Sequence, residues 1–298
     1  MGKLKVLLAL TTEDNDYQRE QASVAQATAG RLGISLQVLF AGNDAIGQTK
    51  QILASIEETA ERPDVVVVEP VGTGMSSVAS QAVRQGIGWI VLNREPDYVA
   101  PARHDSSAPV GCVVTDNVEI GRIQGRQFAA LIPDGGAVLY IEGPGTDVSK
   151  QRRAGVDETL PANIEIVTGR GQWTEESGFH VLETRLRLRS GKPPNVEIVG
   201  CMNDAMAMGA RRAAEALEDA ELREQWLAIP FTGVDGVPST GKVWVRQQLL
   251  AATVIQPVMA GVALELVAQA VAAGTQVPEK TVLSPESYPA LEKLGVSA

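Results

Sequence analysis

The stretch DVVVVEPVGTGMSSVASQAVRQGIGWIVLNR, residues 64–94, decides how the rest of the chain is read. It opens on four consecutive valines, closes on the apolar run Trp89, Ile90, Val91, Leu92, and has helically spaced apolar residues between them over 76–85. β-Branched side chains favour extended backbone, and a run apolar at successive positions buries both faces of a strand. Two such strands separated by a helix make a parallel pair, since a parallel connection requires a long crossover. Helices must then cover the sheet on both sides, which is the doubly wound α/β arrangement.

The same alternation extends in both directions. Strands are expected over 4–10, 34–40, 65–68, 89–92, 111–114, 137–141, 164–168, 197–201, 229–234 and 251–254. Helices are expected over 16–31, 44–60, 76–85, 117–131, 149–160, 175–189, 203–219, 239–248 and 257–273, many opening at an Asp, Asn, Ser or Thr that suits an N-cap. These strands exceed what one such sheet usually holds, and the alternation breaks at 96–109, a predicted loop containing PARHDSSAP. The reading is two doubly wound parallel-sheet lobes, in keeping with 298 residues at about 150 per domain.

Composition removes several functions. With 36 acidic and 26 basic side chains the formal charge is −10, so nucleic acid is not an expected partner. No apolar run approaches the roughly 18 residues of a membrane span, and the chain is not expected to be membrane-inserted. The opening MGKLKVLLALTTEDN reads as a first strand, without the cleavage region of a secretory signal. Cys112 and Cys201 have no CxxC spacing and are expected to be buried in strands.

The short motifs favour ordinary structure over catalysis. GVPSTGKV at 236–243 has Val243 where a phosphate-binding loop needs Ser or Thr, and reads as a strand-to-helix loop. Gly72 and Gly74 are followed by Ser77 in place of the third dinucleotide-binding glycine. His104 and His180 are the only histidines and lie in no metal-ligand pattern, so no metal or cofactor is expected. No G-x-S-x-G elbow is present. RLRLR at 185–189 reads as a solvated helix face, and EDND at 13–16 suits the positive end of a helix dipole.

Polar and aromatic residues nonetheless collect at the carboxyl ends of the predicted strands, where open α/β sheets bind ligands. Asn15 and Tyr17 follow the first strand, Asn93 and Arg94 the fourth, Asn203 and Asp204 the eighth, Asp235 the ninth and Gln256 the tenth. Trp173 stands in a polar turn and reads as an exposed stacking platform. A sugar ring has apolar C–H faces and hydroxyls that donate and accept. Tyr and Trp cover the faces; planar Asn, Asp, Gln and Arg groups bond the hydroxyls in pairs. The set recurs in both halves, as expected for a ligand held in a cleft between two lobes.

Four segments in order then carry a resemblance: TDNVEIGRIQGRQFA at 115–129, MNDAMAMGARRA at 202–213, GVDGVPS at 233–239 and LAATVIQP at 250–257. From about 3 to about 276 the chain resembles the periplasmic ribose-binding proteins and related type I sugar-binding proteins of bacterial ABC uptake systems. The resemblance implies the type I periplasmic binding protein fold with a three-strand hinge. Its lobes would comprise 1–116 with 257–284 and 117–256 with 285–298. It further implies a monomer that binds a monosaccharide or derivative without converting it, delivers it to a membrane permease, and works in the periplasm or outside the cytoplasm. Without a signal in the chain, a cytoplasmic sugar-sensing domain is the alternative; lac repressor-type regulators carry a helix-turn-helix of about 60 residues that has no counterpart here. A sugar-metabolising enzyme using Asp235 and Arg94 is the other rival.

By the same resemblance, Asn15, Tyr17, Arg94, Arg152, Trp173, Asn203, Asp235 and Gln256 are sugar contacts, with Tyr17 replacing a phenylalanine. Two positions depart: Gln18 stands where the ribose binders have a second aromatic, and Asn93 where they have an aspartate. With that aspartate gone, Arg94 and Arg152 face only Asp235 within the set. The expectation is a ligand other than plain ribose, more polar or anionic, unless Asp14 or Asp16 neutralises the excess.

Overall fold

The computed structural model describes residues 3–104, 106–188 and 195–295. In chain order the elements begin with β1 (Lys5–Leu10), α1 (Asp16–Leu32), β2 (Ser35–Phe40), α2 (Ala45–Glu57), β3 (Val65–Val68), α3 (Ser76–Arg84), β4 (Gly88–Leu92), α4 (Val99–His104) and β5 (Val110–Thr115). There follow α5 (Asn117–Leu131), β6 (Gly136–Glu142), α6 (Asp147–Thr159), β7 (Ile164–Arg170), α7 (Glu175–Leu188), β8 (Ile198–Cys201), α8 (Asp204–Glu215), α9 (Ala220–Leu227), β9 (Phe231–Asp235), α10 (Gly241–Arg246) and β10 (Ala252–Ile255). The last are α11 (Met259–Ala273), β11 (Lys280–Leu283), β12 (Glu286–Tyr288) and a 3₁₀ turn at Leu291–Lys293.

These elements form two compact units. Unit 1 is drawn from Met1–Thr115 and Val258–Leu283, unit 2 from Asp116–Pro257 and Ser284–Ala298. Unit 1 holds a sheet in the order β11-β5-β4-β3-β1-β2, parallel throughout. The four valines of β3 are wholly inaccessible, with Val66 and Val68 packed into an apolar cluster with Leu7, Ile52, Ile56 and Trp89. Unit 2 repeats the order as β12-β10-β9-β8-β6-β7, parallel except that β12 runs against β10. In each sheet the second strand in sequence lies outside the first and the third lies on its other side. The crossovers therefore diverge between β1 and β3 and between β6 and β8, the kind of topological switch point at which open α/β sheets bind ligands.

The doubly wound α/β reading thus describes the chain, with corrections. β11 and β12 were not expected: β11 is a four-residue edge strand with alternating exposure and β12 has only three residues, too little apolar material to mark them. The segment 96–109 contains α4, whose Pro101 is its third residue, where a missing N–H costs nothing. The helix expected over 203–219 stops at Glu215, and Asp219 starts α9 by accepting from the backbone N–H groups of Glu221 and Leu222. Arg189, in the predicted helix 175–189 and the RLRLR stretch, lies outside the described residues; Arg187 is exposed and ion-paired with Glu183. GVPSTGKV is the loop from β9 into α10, and both cysteines are buried in strands. No described helix is long and apolar enough to cross a membrane.

Glycine sets the helix spacing in unit 2. α5 and α6 approach so closely that a Cβ on Gly121 would lie 1.9 Å from the carbonyl oxygen of Arg152, and one on Gly155 would lie 2.0 Å from that of Val118.

Candidate functional site

At the carboxyl end of β1 the chain turns into α1, and Asn15 caps that helix. Its Oδ1 accepts from the backbone N–H of Tyr17 at 2.9 Å and of Gln18 at 3.2 Å, which fixes the first turn carrying both residues. Tyr17 is buried, and its hydroxyl accepts from Gln21 Nε2 at 3.4 Å. Gln18 is buried as well. Its Nε2 donates to Glu69 Oε2 at 2.9 Å, and its Oε1 accepts from the backbone N–H of Thr11 at 3.3 Å.

Glu69, the residue after β3, is the meeting point of this corner. Its other oxygen, Oε1, accepts from Asn93 Nδ2 at 3.1 Å, so one carboxyl group ties the end of β3 to α1 and to the end of β4. Gln48 of α2 holds the turn from beneath, donating to the Glu69 carbonyl at 2.9 Å and accepting from the N–H of Val71 at 2.9 Å. Arg94 is half-buried and donates to the Gly72 carbonyl at 3.0 Å.

Unit 2 gathers its residues around Arg152. This α6 side chain is 3% exposed, yet its guanidinium is held by oxygens from three elements. Nε donates to Asn117 Oδ1 at 3.0 Å, Nη2 to Gln256 Oε1 at 2.6 Å, and Nη1 to the Met202 carbonyl at the end of β8. The same guanidinium lies over the indole of Trp173, 5.5 Å from the ring centroid. Asn203 caps α8 through an Oδ1 that accepts from Met206 N–H at 2.9 Å, while its Nδ2 donates to the Trp173 carbonyl at 2.9 Å. Trp173 is half-buried rather than exposed, because its indole rests on Gly143, where an added Cβ would come within 2.2 Å of the ring. Asp235 ends β9 and is buried, and its carbonyl accepts from the N–H of Gln256 at 3.1 Å.

Backbone strain marks the same places. Five non-glycine residues among those described have positive φ: Asn43 (61°), Asn93 (61°), Trp173 (65°), Asp235 (117°) and Gln248 (61°). Three of them were singled out as ligand contacts. Such conformations cost about 1–3 kcal/mol each and persist where surrounding structure imposes them, often at functional sites.

The structure therefore joins Arg152, Trp173, Asn203 and Gln256 directly, and joins Gln18 to Asn93 through Glu69. Arg94 instead reaches the β3–α3 turn, through its bond to the Gly72 carbonyl. Sequence reasoning missed Glu69, Gln48 and Asn117, and noted Asp204 without including it. Asp204 is buried, accepting from Thr253 Oγ1 at 2.7 Å and from Gly236 N–H at 2.9 Å. A carboxyl group immediately after an all-apolar strand was the available signal for Glu69. The charge argument is corrected too: Asp16 pairs with Arg19 and Asp14 accepts from Thr12 at 3.4 Å, while Glu69 adds an acidic group bonded to the neighbour of Arg94. No group of three His, Cys, Asp or Glu suited to a metal ion occurs among the described residues.

A family model described as a periplasmic binding protein domain matches residues 6–276. The chain is 26% identical over 261 residues to the ribose import binding protein of Salmonella typhimurium, covering 86% of this chain and 80% of that protein. It is 28% identical over 282 residues to the galactofuranose-binding protein of Escherichia coli, covering 91% and 83%. Among solved structures, an ABC transporter periplasmic solute binding protein from Actinobacillus succinogenes with bound D-allose aligns at a TM-score of 0.82 and 25% identity, covering 98% of this chain and 99% of that one.

Proposed function

The chain belongs to the periplasmic binding protein domain family with the type I fold, and from that premise we propose that it binds a monosaccharide or sugar derivative and delivers it to an ABC-type membrane permease. The contacts proposed are Asn15, Tyr17, Gln18, Asn93 and Arg94 from unit 1 and Arg152, Trp173, Asn203, Asp235 and Gln256 from unit 2. Binding would draw on both units, so the ligand favours a closed arrangement over an open one by its differential affinity for the two. The chain binds its ligand without converting it, and it acts outside the cytoplasm.

The observation that carries this reading is the chemistry at the strand ends. At its strand ends unit 1 presents the Gln18 and Asn93 amides, the Glu69 carboxyl group and the Arg94 guanidinium, and unit 2 the Arg152 guanidinium with the Asn203 and Gln256 amides, all already oriented by hydrogen bonds. In unit 2 they stand beside an indole. Pre-oriented planar groups lose little freedom on binding, which suits a small rigid polyol. The names of the relatives agree, since those proteins are described as binding ribose and galactofuranose.

The test is a thermal-shift screen over pentoses, hexoses, polyols, sugar acids and nucleosides, followed by calorimetry. A selective ligand at 100 times its Kd stabilises the folded state by about 2.7 kcal/mol. Small-angle scattering with the best ligand at saturation should show compaction, and the ligand should be recovered chemically unchanged. A chain that neither shifts nor compacts with any of them is not a sugar-binding protein.

A further inference from the structure

Glu69 does more than fill a corner of unit 1, because hydrogen bonds to its two carboxyl oxygens decide which way two amides face. Its Oε2 takes the Nε2 of Gln18 at 2.9 Å and its Oε1 takes the Nδ2 of Asn93 at 3.1 Å. A carboxylate has only acceptors, so each amide must turn its NH₂ edge toward Glu69 and its oxygen away. The oxygen of Gln18 is then used by the backbone N–H of Thr11. That of Asn93 is not: Asn93 Oδ1 is buried and has no hydrogen-bond partner among the described residues. Asn93 itself is held in a left-handed conformation with φ 61°, at the carboxyl end of β4.

We propose that Glu69 is a positioning residue that sets ligand specificity: it holds the Asn93 amide with Oδ1 presented to the ligand, so the ligand group met there must be a hydrogen-bond donor. A sugar hydroxyl meets that demand. A carboxylate or phosphate oxygen does not, because it would set acceptor against acceptor beside the Glu69 carboxyl group. The preferred ligand is then a neutral polyhydroxylated molecule rather than a sugar acid or sugar phosphate, which reverses the expectation drawn from the arginine excess. This inference rests on the sugar-binding reading above.

A substitution swap tests it. Glu69→Gln supplies an NH₂ group that can donate to Asn93, which frees the Asn93 amide to turn its own NH₂ edge outward. Combining Glu69→Gln with Asn93→Asp restores an acceptor at position 93, now bonded to the amide at 69. Calorimetry would compare D-ribose, D-allose and myo-inositol with D-ribonate and D-ribose 5-phosphate, with each variant checked for folding by thermal unfolding. The wild type should bind at least one neutral probe and prefer it to both anions by at least a hundredfold. Glu69→Gln should weaken that neutral binding at least tenfold and narrow its margin over the anions, and the double variant should return to within about threefold of the wild-type affinity. Slow side-chain amide proton exchange at Asn93 in the ligand-free wild type, lost in Glu69→Gln, would report the orientation directly and does not depend on any probe.

Tighter binding of either anion by the wild type overturns the inference. So does a Glu69→Gln protein with unchanged selectivity, or fast Asn93 exchange in the wild type; each of these leaves the sugar-binding reading standing. Failure of the folded wild type to bind any of these probes and any ligand of the wider sugar screen defeats that reading, and the inference with it.

Discussion

Replacing Gly121 by alanine should damage unit 2 in a way that reaches Arg152. The added Cβ would sit 1.9 Å from the Arg152 carbonyl oxygen and 3.0 Å from the Cα of Gly155, so the obstacle is backbone, which cannot rotate aside. Restoring ordinary van der Waals contact requires α5 and α6 to move apart by roughly 1.5 Å at that point. Overpacking of this kind costs about 1–3 kcal/mol. The movement also carries Arg152 on α6 away from Asn117 on α5, whose 3.0 Å hydrogen bond would open beyond useful length. Losing a charge-assisted bond of this sort costs about 1.5–3 kcal/mol more. Alanine returns about 1 kcal/mol as the better helix former, leaving a net loss of about 2–5 kcal/mol. For a folded body of about 150–250 residues each kcal/mol is worth about 2–4 °C, so the unit 2 transition should fall by about 4–20 °C. Differential scanning calorimetry reads this, with Gly30→Ala as control. Gly30 lies in α1 with nothing within 4 Å of the added Cβ, and alanine there should raise the unit 1 transition by about 2–3 °C. Equal shifts in the two variants, or a Gly121→Ala midpoint within 2 °C of wild type, would show that glycine spacing does not govern this packing.

Trp173→Ala should raise the Kd for the best sugar at least about tenfold in calorimetry, since an aromatic held in place by neighbours is the kind of residue that dominates binding energy. Gln248→Gly should add about 1 kcal/mol of stability with unchanged affinity, because Gln248 is exposed beyond α10 at φ 61°, where glycine carries no Cβ penalty. Burial pushes the Cys112 thiol up from 9.0 to about 11 and raises Cys201 well above its usual value, so at pH 8 neither should react with a thiol reagent until the protein is unfolded in denaturant. The same shift has a sign: the folded state keeps the Cys112 proton longer than the unfolded chain does, so its contribution to stability is complete below pH 9 and is lost as pH rises toward 11, readable as a declining midpoint in alkaline thermal melts.

How much of the fold could be read from the chain depended on burial. β3 and β4 are buried along their whole length, so their residues had to be apolar at successive positions, and the run at 65–68 appears in the sequence without ambiguity. β11 is paired on one side only, with alternate residues exposed, and its Lys280 and Thr281 look like loop. β12 is three residues long. Edge strands take their stability from backbone pairing, to which any sequence contributes, so they leave little mark on composition. The gap at 96–109 hid α4 for a related reason: six residues with a proline in the first turn provide no period to detect.

The candidate site was legible one residue at a time, and its wiring was not. Residue types at strand ends identify planar hydrogen-bonding groups, but whether Arg152 points at solvent or into a nest of Asn117, Met202 and Gln256 depends on α5, α6 and the end of β10 meeting, which is a tertiary fact. The charge argument shows the consequence. Counting arginines against the one aspartate in a set chosen by strand-end position made Asn93 look like a lost negative charge. In the folded chain Glu69, 24 residues earlier, is hydrogen-bonded to Asn93 and to Gln18, the two positions that had looked anomalous. An amide at 93 beside a carboxyl group at 69 keeps an acidic group in this corner, whereas two carboxyl groups at that distance would repel unless one held a proton. Asn93 and Gln18 are thus better understood as the two donors that a buried Glu69 needs. The three residues form one unit of chemistry whose members the sequence scatters over three elements.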